Sequence, residues 1–401
     1  KFRWNVSGSY MQVLPRFIST DKDGGDEREF LREYYDSVAE MYDAIFLKGY
    51  QWPFAASHVP GSSLVDLFVY VETELRGRRV WLDYRADPSD VDRSALSEET
   101  RVYLDKSGCT GSTPLERLEQ MNAPAIQLYR DHGIDLATEA LEIAVCAQHN
   151  NGGLAGNMWW ESETVRHLFP IGEVNGSHGV IRPGGSALNA GQVGAFRASE
   201  YIAANCQEST ISDAEFEQAA QAVLSIVQEQ MRRPAKLDWR EERARMQERM
   251  SRDGAFLRDA SAIERALAEA KAQLKEARED GLAQKLTRDV AELLRNRSLL
   301  LAQVVYLEAT LEMIHAGVGS RGGAIVLSEN GRPVHPKLPF RIVDENVSFR
   351  AKAQECVLEN GELKVEWVPC RPVPETDGWF ETVWKACREK TIYKTSGQPQ
   401  R

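Results

Sequence analysis

The chain has 401 residues, 42% of them hydrophobic and 27% charged, with a formal net charge of −11. That length exceeds one ordinary domain, and the acidic balance argues against a nucleic-acid groove or an anionic membrane surface as the main partner. No apolar run approaches the roughly 20 residues of a bilayer span, and no signal peptide is visible.

The six cysteines, Cys109, Cys146, Cys206, Cys356, Cys370 and Cys387, include no C-x-x-C pair. Such scatter fits a reducing cytoplasm and supplies no zinc or iron–sulfur ligand set, so no metal site is expected.

Taken in order, Ser9–Ile18 is alternating and β-prone, and Asp21–Gly25 closes it in a turn. Glu27–Phe46 carries apolar residues near helical spacing. A second helix opens at Ser62 or Ser63, with Leu64, Leu67, Phe68 and Val71 on one face. Arg79–Arg85 reads as a strand. Thr113 and Pro114 begin a further helix with a cap and an early proline, and Leu141–Cys146 reads as a strand. The segments Asp213–Met231, Trp239–Met250, Ala262–Arg278 and Thr287–Ala316 are helical in composition. Within them Leu293, Leu300, Val304, Leu307 and Leu311 predict one packed stripe. Beyond the turn Gly319–Gly323, the runs Val347–Arg350, Gln354–Val357 and Glu362–Trp367 predict a small sheet.

The stretch Cys146–Cys206 organises the rest. Two glycine pairs, Gly152-Gly153 and Gly184-Gly185, bracket the apolar run Leu168–Ile171, which predicts a short buried strand. Glu173, just past its end, is placed to accept hydrogen bonds from ribose or ribityl hydroxyls. Gly184-Gly185 permits close backbone approach to a flat ligand. Ser186 is the expected N-cap of a helix whose positive end faces back at that turn.

Gly172-Glu173, His178-Gly179, Arg182, Gly184-Gly185-Ser186-Ala187-Leu188-Asn189 and Gly194 resemble, in order and spacing, a known signature. It is that of the flavoprotein subunits of fumarate reductase and succinate dehydrogenase, with L-aspartate oxidase alongside. Upstream, His149-Asn150-Asn151-Gly152-Gly153 resembles their histidine–glycine substrate motif. The resemblance implies an α/β plus α chain: part of an FAD-binding Rossmann-like domain with an inserted α+β capping domain, then a helical domain and a small C-terminal sheet. The expected divisions are 1–135 (capping region and return), 136–208 (FAD-binding, C-terminal part), 209–318 (helical) and 319–401 (small α+β). No G-x-G-x-x-G turn for the FAD pyrophosphate occurs, so the chain is expected to lack most of the nucleotide half.

The resemblance further implies FAD as cofactor, bound through Gly153, Gly172, Glu173, Gly185, Ser186, Ala187 and Leu188. It implies hydride transfer between flavin N5 and a substrate carbon, with electrons exchanged through an iron–sulfur partner protein. Arg182 matches the arginine that grips a substrate carboxylate, a task suited to the guanidinium fork; the other reading is an ion pair with Glu173. His149 is either a second carboxylate-binding group or a flavin contact, because the spacing to its glycines is one residue short. His178 either faces the same site or caps backbone. Tyr10 and His178 are the candidate proton groups. Trp159-Trp160 either wall a pocket or pack in a core.

The chain departs from the family upstream. Ser62 falls where a proton-donating arginine is expected, Ser9-Tyr10 where a Thr-Glu pair is, and Val6 where a histidine is. The implied substrate is therefore carboxylate-bearing but not plain fumarate. The alternative is a flavin electron-relay protein with a vestigial pocket, working within a larger redox complex. A helical adaptor built on residues 210–318 is the third possibility.

Overall fold

The computed structural model describes residues 7–51, 53–87, 90–145, 152–182, 185–206, 211–236, 238–282, 287–360, 362–370 and 377–394. The chain divides into two compact units, residues 1–148 with 320–344, and residues 149–319 with 345–401. Among the described residues no helix is long and apolar enough to cross a membrane.

The first unit is built on a small antiparallel sheet. Strand β1 (Arg16–Thr20) pairs with β2 (Arg79–Asp83) in the register Arg16↔Asp83, and β2 pairs with β3 (Leu141–Ile143) through Trp81↔Glu142. The stretch expected to be one strand from Ser9 is instead a helical turn, α1 (Ser9–Gln12), followed by β1. Leu14 explains the break: it takes a left-handed φ of 59°, which ends any extended run. Helix α2 (Val38–Lys48) starts later than periodicity predicts, because the Ser37 hydroxyl accepts from the Glu40 amide at 3.1 Å and caps it there. A separate 3₁₀ turn covers Phe30–Glu33.

Helix α3 (Ser63–Tyr70) runs into a π turn, Val71–Leu75, that brings the fully buried Glu72 to Arg28, Arg76 and Arg78. Helix α4 (Glu98–Lys106) is capped by Ser97. Helix α5 (Pro114–Asp131) starts with the expected proline inside a Thr113–Glu116 capping box, and kinks at Asn122, two residues before Pro124. Phe17, Ile18, Leu67, Phe68, Val80, Leu82, Tyr84 and Leu118 are buried in this unit. It is completed by an antiparallel pair, β4 (Ile325–Pro333) and β5 (Arg341–Val343).

In the second unit a loop, residues 152–182, precedes α6 (Ser186–Asn205) and α7 (Asp213–Met231). Then α8 (Trp239–Arg252), α9 (Ala260–Glu279) and α10 (Thr287–His315) form a bundle. The predicted stripe is there: Leu293, Leu300, Val304 and Leu307 are buried, and Leu311 packs beside Ile263, Ala266, Leu267 and Ala270. The bundle interior also holds Arg249, 4% exposed, which donates to Gln303, Gln273 and Glu269.

Of the three predicted tail strands, Val347–Arg350 is a 3₁₀ turn, because the Asn346 side chain accepts from the Ser348 amide at 3.2 Å. The other two pair as the hairpin β6 (Lys352–Glu359) and β7 (Glu362–Pro369). Helix α11 (Trp379–Arg388) follows. Cys109, Cys206, Cys356, Cys370 and Cys387 are free thiols.

Candidate functional site

The loop 152–182 is held by close backbone approaches that only glycine permits. Gly153 bridges Asn175, and the neighbouring Leu154 amide donates to the Val174 carbonyl at 2.7 Å. A Cβ on Gly153 would lie 2.1 Å from that same carbonyl oxygen. The described contact of Gly153 is therefore with the chain's own turn. The run Leu168–Ile171, expected to be a buried strand, forms none: Leu168 is 44% exposed, and its carbonyl accepts from the Ser162 amide across the loop. Four residues including Pro170, which has no donor, cannot sustain a ladder of their own.

Instead, Gly172-Glu173-Val174 form a single 3₁₀ turn, with Gly172 at a left-handed φ of 81°. That turn docks on α6: a Cβ on Gly172 would sit 3.3 Å from the Gly191 Cα, and one on Gly194 would meet Trp160 at 3.2 Å and Ile171 at 3.4 Å. Gly191 was not picked out from the sequence. Its signal is the spacing of Gly191, Gly194 and the buried Ala198, which puts three small residues on one helix face.

Three polar side chains gather at this turn. The Arg182 Nε lies 3.5 Å and the His178 Nε2 lies 3.9 Å from the same oxygen, Oε1 of Glu173. The His178 side chain is 8% exposed and that of Arg182 19%, whereas the Glu173 carboxylate is 58% exposed. The His178 Nε2 is buried without a hydrogen-bond partner. Ion pairing of Arg182 to Glu173, one of the two readings of that arginine, is thus present. His149, Val6 and Gly184 lie outside the described residues.

Helix α6 starts differently from expectation. Its N-cap is Gly185, in a left-handed conformation with φ 76°, and Ser186 is already the first helical residue. No side chain caps this end, nothing lies within 4 Å of where a Gly185 Cβ would be, and Leu188 is 79% exposed. A helix start with an open glycine and no capping side chain is a fitting cradle for the flat, hydrogen-bond-accepting edge of a flavin. The outward Glu173 carboxylate suits its hydroxylated chain.

The remaining candidates divide clearly. Trp159 is 8% exposed, stacks on Tyr201 at 5.4 Å and 12°, and has Arg197 over its ring at 4.9 Å, so it packs in the second unit's interior. Burial among those rings lowers the pKa of Arg197. Tyr10 belongs to the first unit and is not drawn into the Glu173 cluster. Its ring is 6% exposed, and its hydroxyl donates to the Ala125 carbonyl at 2.8 Å. Burial pushes that phenol up to about 12. Ser62 is fully buried.

A helical-turn carboxylate docked on a glycine-faced helix, with an arginine and a buried histidine upon it, marks the chain as a relative of the fumarate reductase and succinate dehydrogenase flavoproteins. Among curated proteins it is 31% identical over 186 residues to the flavoprotein-type A component of the CoM/CoB fumarate reductase of Methanothermobacter marburgensis, covering 46% of this chain and 32% of that one. Its fold is similar to that of an E. coli quinol fumarate reductase FrdA chain, with a TM-score of 0.57, 16% identity, and coverage of 90% of this chain and 56% of the other. It is also similar to a chain of the Mycobacterium smegmatis Sdh1 complex in the apo form, with a TM-score of 0.52, 16% identity, and coverage of 97% and 59%. The chain thus spans about a third of the curated relative it matches, 32% by length. No protein-family model matches it.

Proposed function

We propose that this chain carries the substrate side and the isoalloxazine side of an FAD-dependent oxidoreductase acting on a carboxylate-bearing substrate other than plain fumarate. Bound FAD would supply the hydride chemistry, between its N5 and a substrate carbon. Gly185, Ser186, Ala187 and Leu188, at the uncapped start of α6, would hold the flavin edge, with Gly172 and Glu173 beside them. Arg182 would grip the substrate carboxylate through its planar fork, and His149 would contribute a second contact.

The observation that carries this reading is the convergence of Arg182 and His178 on one oxygen of Glu173, on a turn docked against α6. His178 is the proton-handling group we favour, because its Nε2 is buried and has no hydrogen-bond partner. Tyr10 is given no part in the proton step, since its hydroxyl is committed to Ala125. Electrons would reach the site from an iron–sulfur partner protein in a reducing cytoplasm.

A second reading, an electron-relay protein with a vestigial pocket, is favoured by Ser62, whose full burial removes it as a proton donor. The test is a screen of unsaturated acids against the reduced full-length protein, followed by flavin absorbance. Reoxidation by a small acid supports the oxidoreductase. Reoxidation only by a partner protein supports the relay, and colourless full-length protein would refute both.

A further inference from the structure

Glu173 puts a fixed negative charge where the proposed substrate carboxylate is to bind. We propose that Glu173 is a specificity-determining residue that restricts this site to substrates with one carboxylate. The inference rests on Arg182 as the carboxylate-gripping residue, and deepens that reading by naming the substrate class: an unsaturated monocarboxylic acid.

Arg182 and His178 approach the same Oε1, and both are largely enclosed, at 19% and 8% side-chain exposure. No lysine or further arginine among the described residues is paired with Glu173. The cluster therefore holds one permanent cation, one permanent anion and one neutral or singly charged imidazole. A single carboxylate entering it meets the guanidinium and restores a balanced arrangement. A second carboxylate on the same small molecule is left without a cation of its own, and sits within reach of Glu173.

Like charges some 6–8 Å apart at a partly exposed site disfavour the dianion by about tenfold after solvent screening. The geometry lets the charge be removed without moving the shape. Glutamine at 173 keeps an oxygen to face the Arg182 Nε and loses only the repulsion.

The experiment compares crotonate and fumarate, which share a four-carbon enoate skeleton and differ by one carboxylate. Reoxidation of the reduced full-length protein gives kcat/KM for each. Titration calorimetry with the saturated analogues butyrate and succinate gives affinities that do not depend on turnover. The expected result is a preference for the monoacid of about tenfold or more in both measurements. Glu173→Gln should shift the ratio about tenfold toward the diacid, and Glu173→Asp, which retains the charge, should restore the native preference. A ratio unchanged in Glu173→Gln, or a native preference for the diacid, would overturn charge selection alone. Failure of all four acids to bind or react would overturn the oxidoreductase reading beneath it, and this inference with it.

Discussion

Replacing Gly153 with alanine tests how the loop holds Glu173. An alanine Cβ would lie 2.1 Å from the Val174 carbonyl oxygen, 2.6 Å from the Gly176 nitrogen and 2.7 Å from the Val174 carbonyl carbon. All three are backbone atoms, so no side chain can swing aside. The bridge to Asn175 must open, and with it the 2.7 Å bond from the Leu154 amide to Val174. Overpacking of this kind costs about 1–3 kcal/mol and the lost hydrogen bond about 1 kcal/mol, a sum of about 2–4 kcal/mol. Because the loop can open without unfolding the unit, amide hydrogen exchange at Leu154 is the right assay. Protection there should fall about 30- to 900-fold. Gly191→Ala is the control: nothing lies within 4 Å of its added Cβ, and it sits mid-helix, so it should leave Leu154 protected and firm up α6. Unchanged protection at Leu154 in Gly153→Ala would show that the loop is not held by this approach.

Arg182→Lys in the full-length protein should retain FAD while turnover falls about 100-fold, since a fork becomes a point charge; native kinetics would remove Arg182 from the substrate site. Leu307→Ala, in the bundle core, should lower unfolding free energy by about 2–5 kcal/mol in denaturant titration, and a cost under about 1 kcal/mol would contradict its burial. Tyr10 has a folded-state pKa raised to about 12 from the usual 10.0, so its neutral form is the one the fold favours. Its contribution to stability is complete below pH 10 and is lost as pH rises toward 12. Difference absorbance against Tyr10→Phe should therefore show no phenolate signal from this residue at pH 10, and turnover should be unaffected by the substitution.

The elements most legible in the sequence were those with punctuation at both ends. Thr113, Pro114 and Glu116 announce α5, and the long helices of the second unit follow their periodicity to within a few residues. The misreadings have a common cause, which is local backbone geometry that side-chain pattern does not encode. Leu14 adopts a left-handed φ between α1 and β1, and Gly185 takes the capping position that Ser186 seemed chemically suited to fill. The site followed the same rule. Glu173, His178 and Arg182 could be picked out from their neighbours in the chain, but their meeting at one oxygen depends on the turn's docking against Gly191 and Gly194.

The buried arginine of the helical bundle has a consequence for how those helices can move. Arg249 of α8 reaches Gln303 on α10 and Gln273 on α9, whose own amides are tied to the Met246 and Glu242 carbonyls. Sliding any of the three helices by one turn, about 5.4 Å, would strand a guanidinium in an apolar interior. Apolar contacts alone would tolerate such a slip. This charged tether makes the alignment of the three helices a single discrete setting, so the bundle can transmit a push along its axis without creeping.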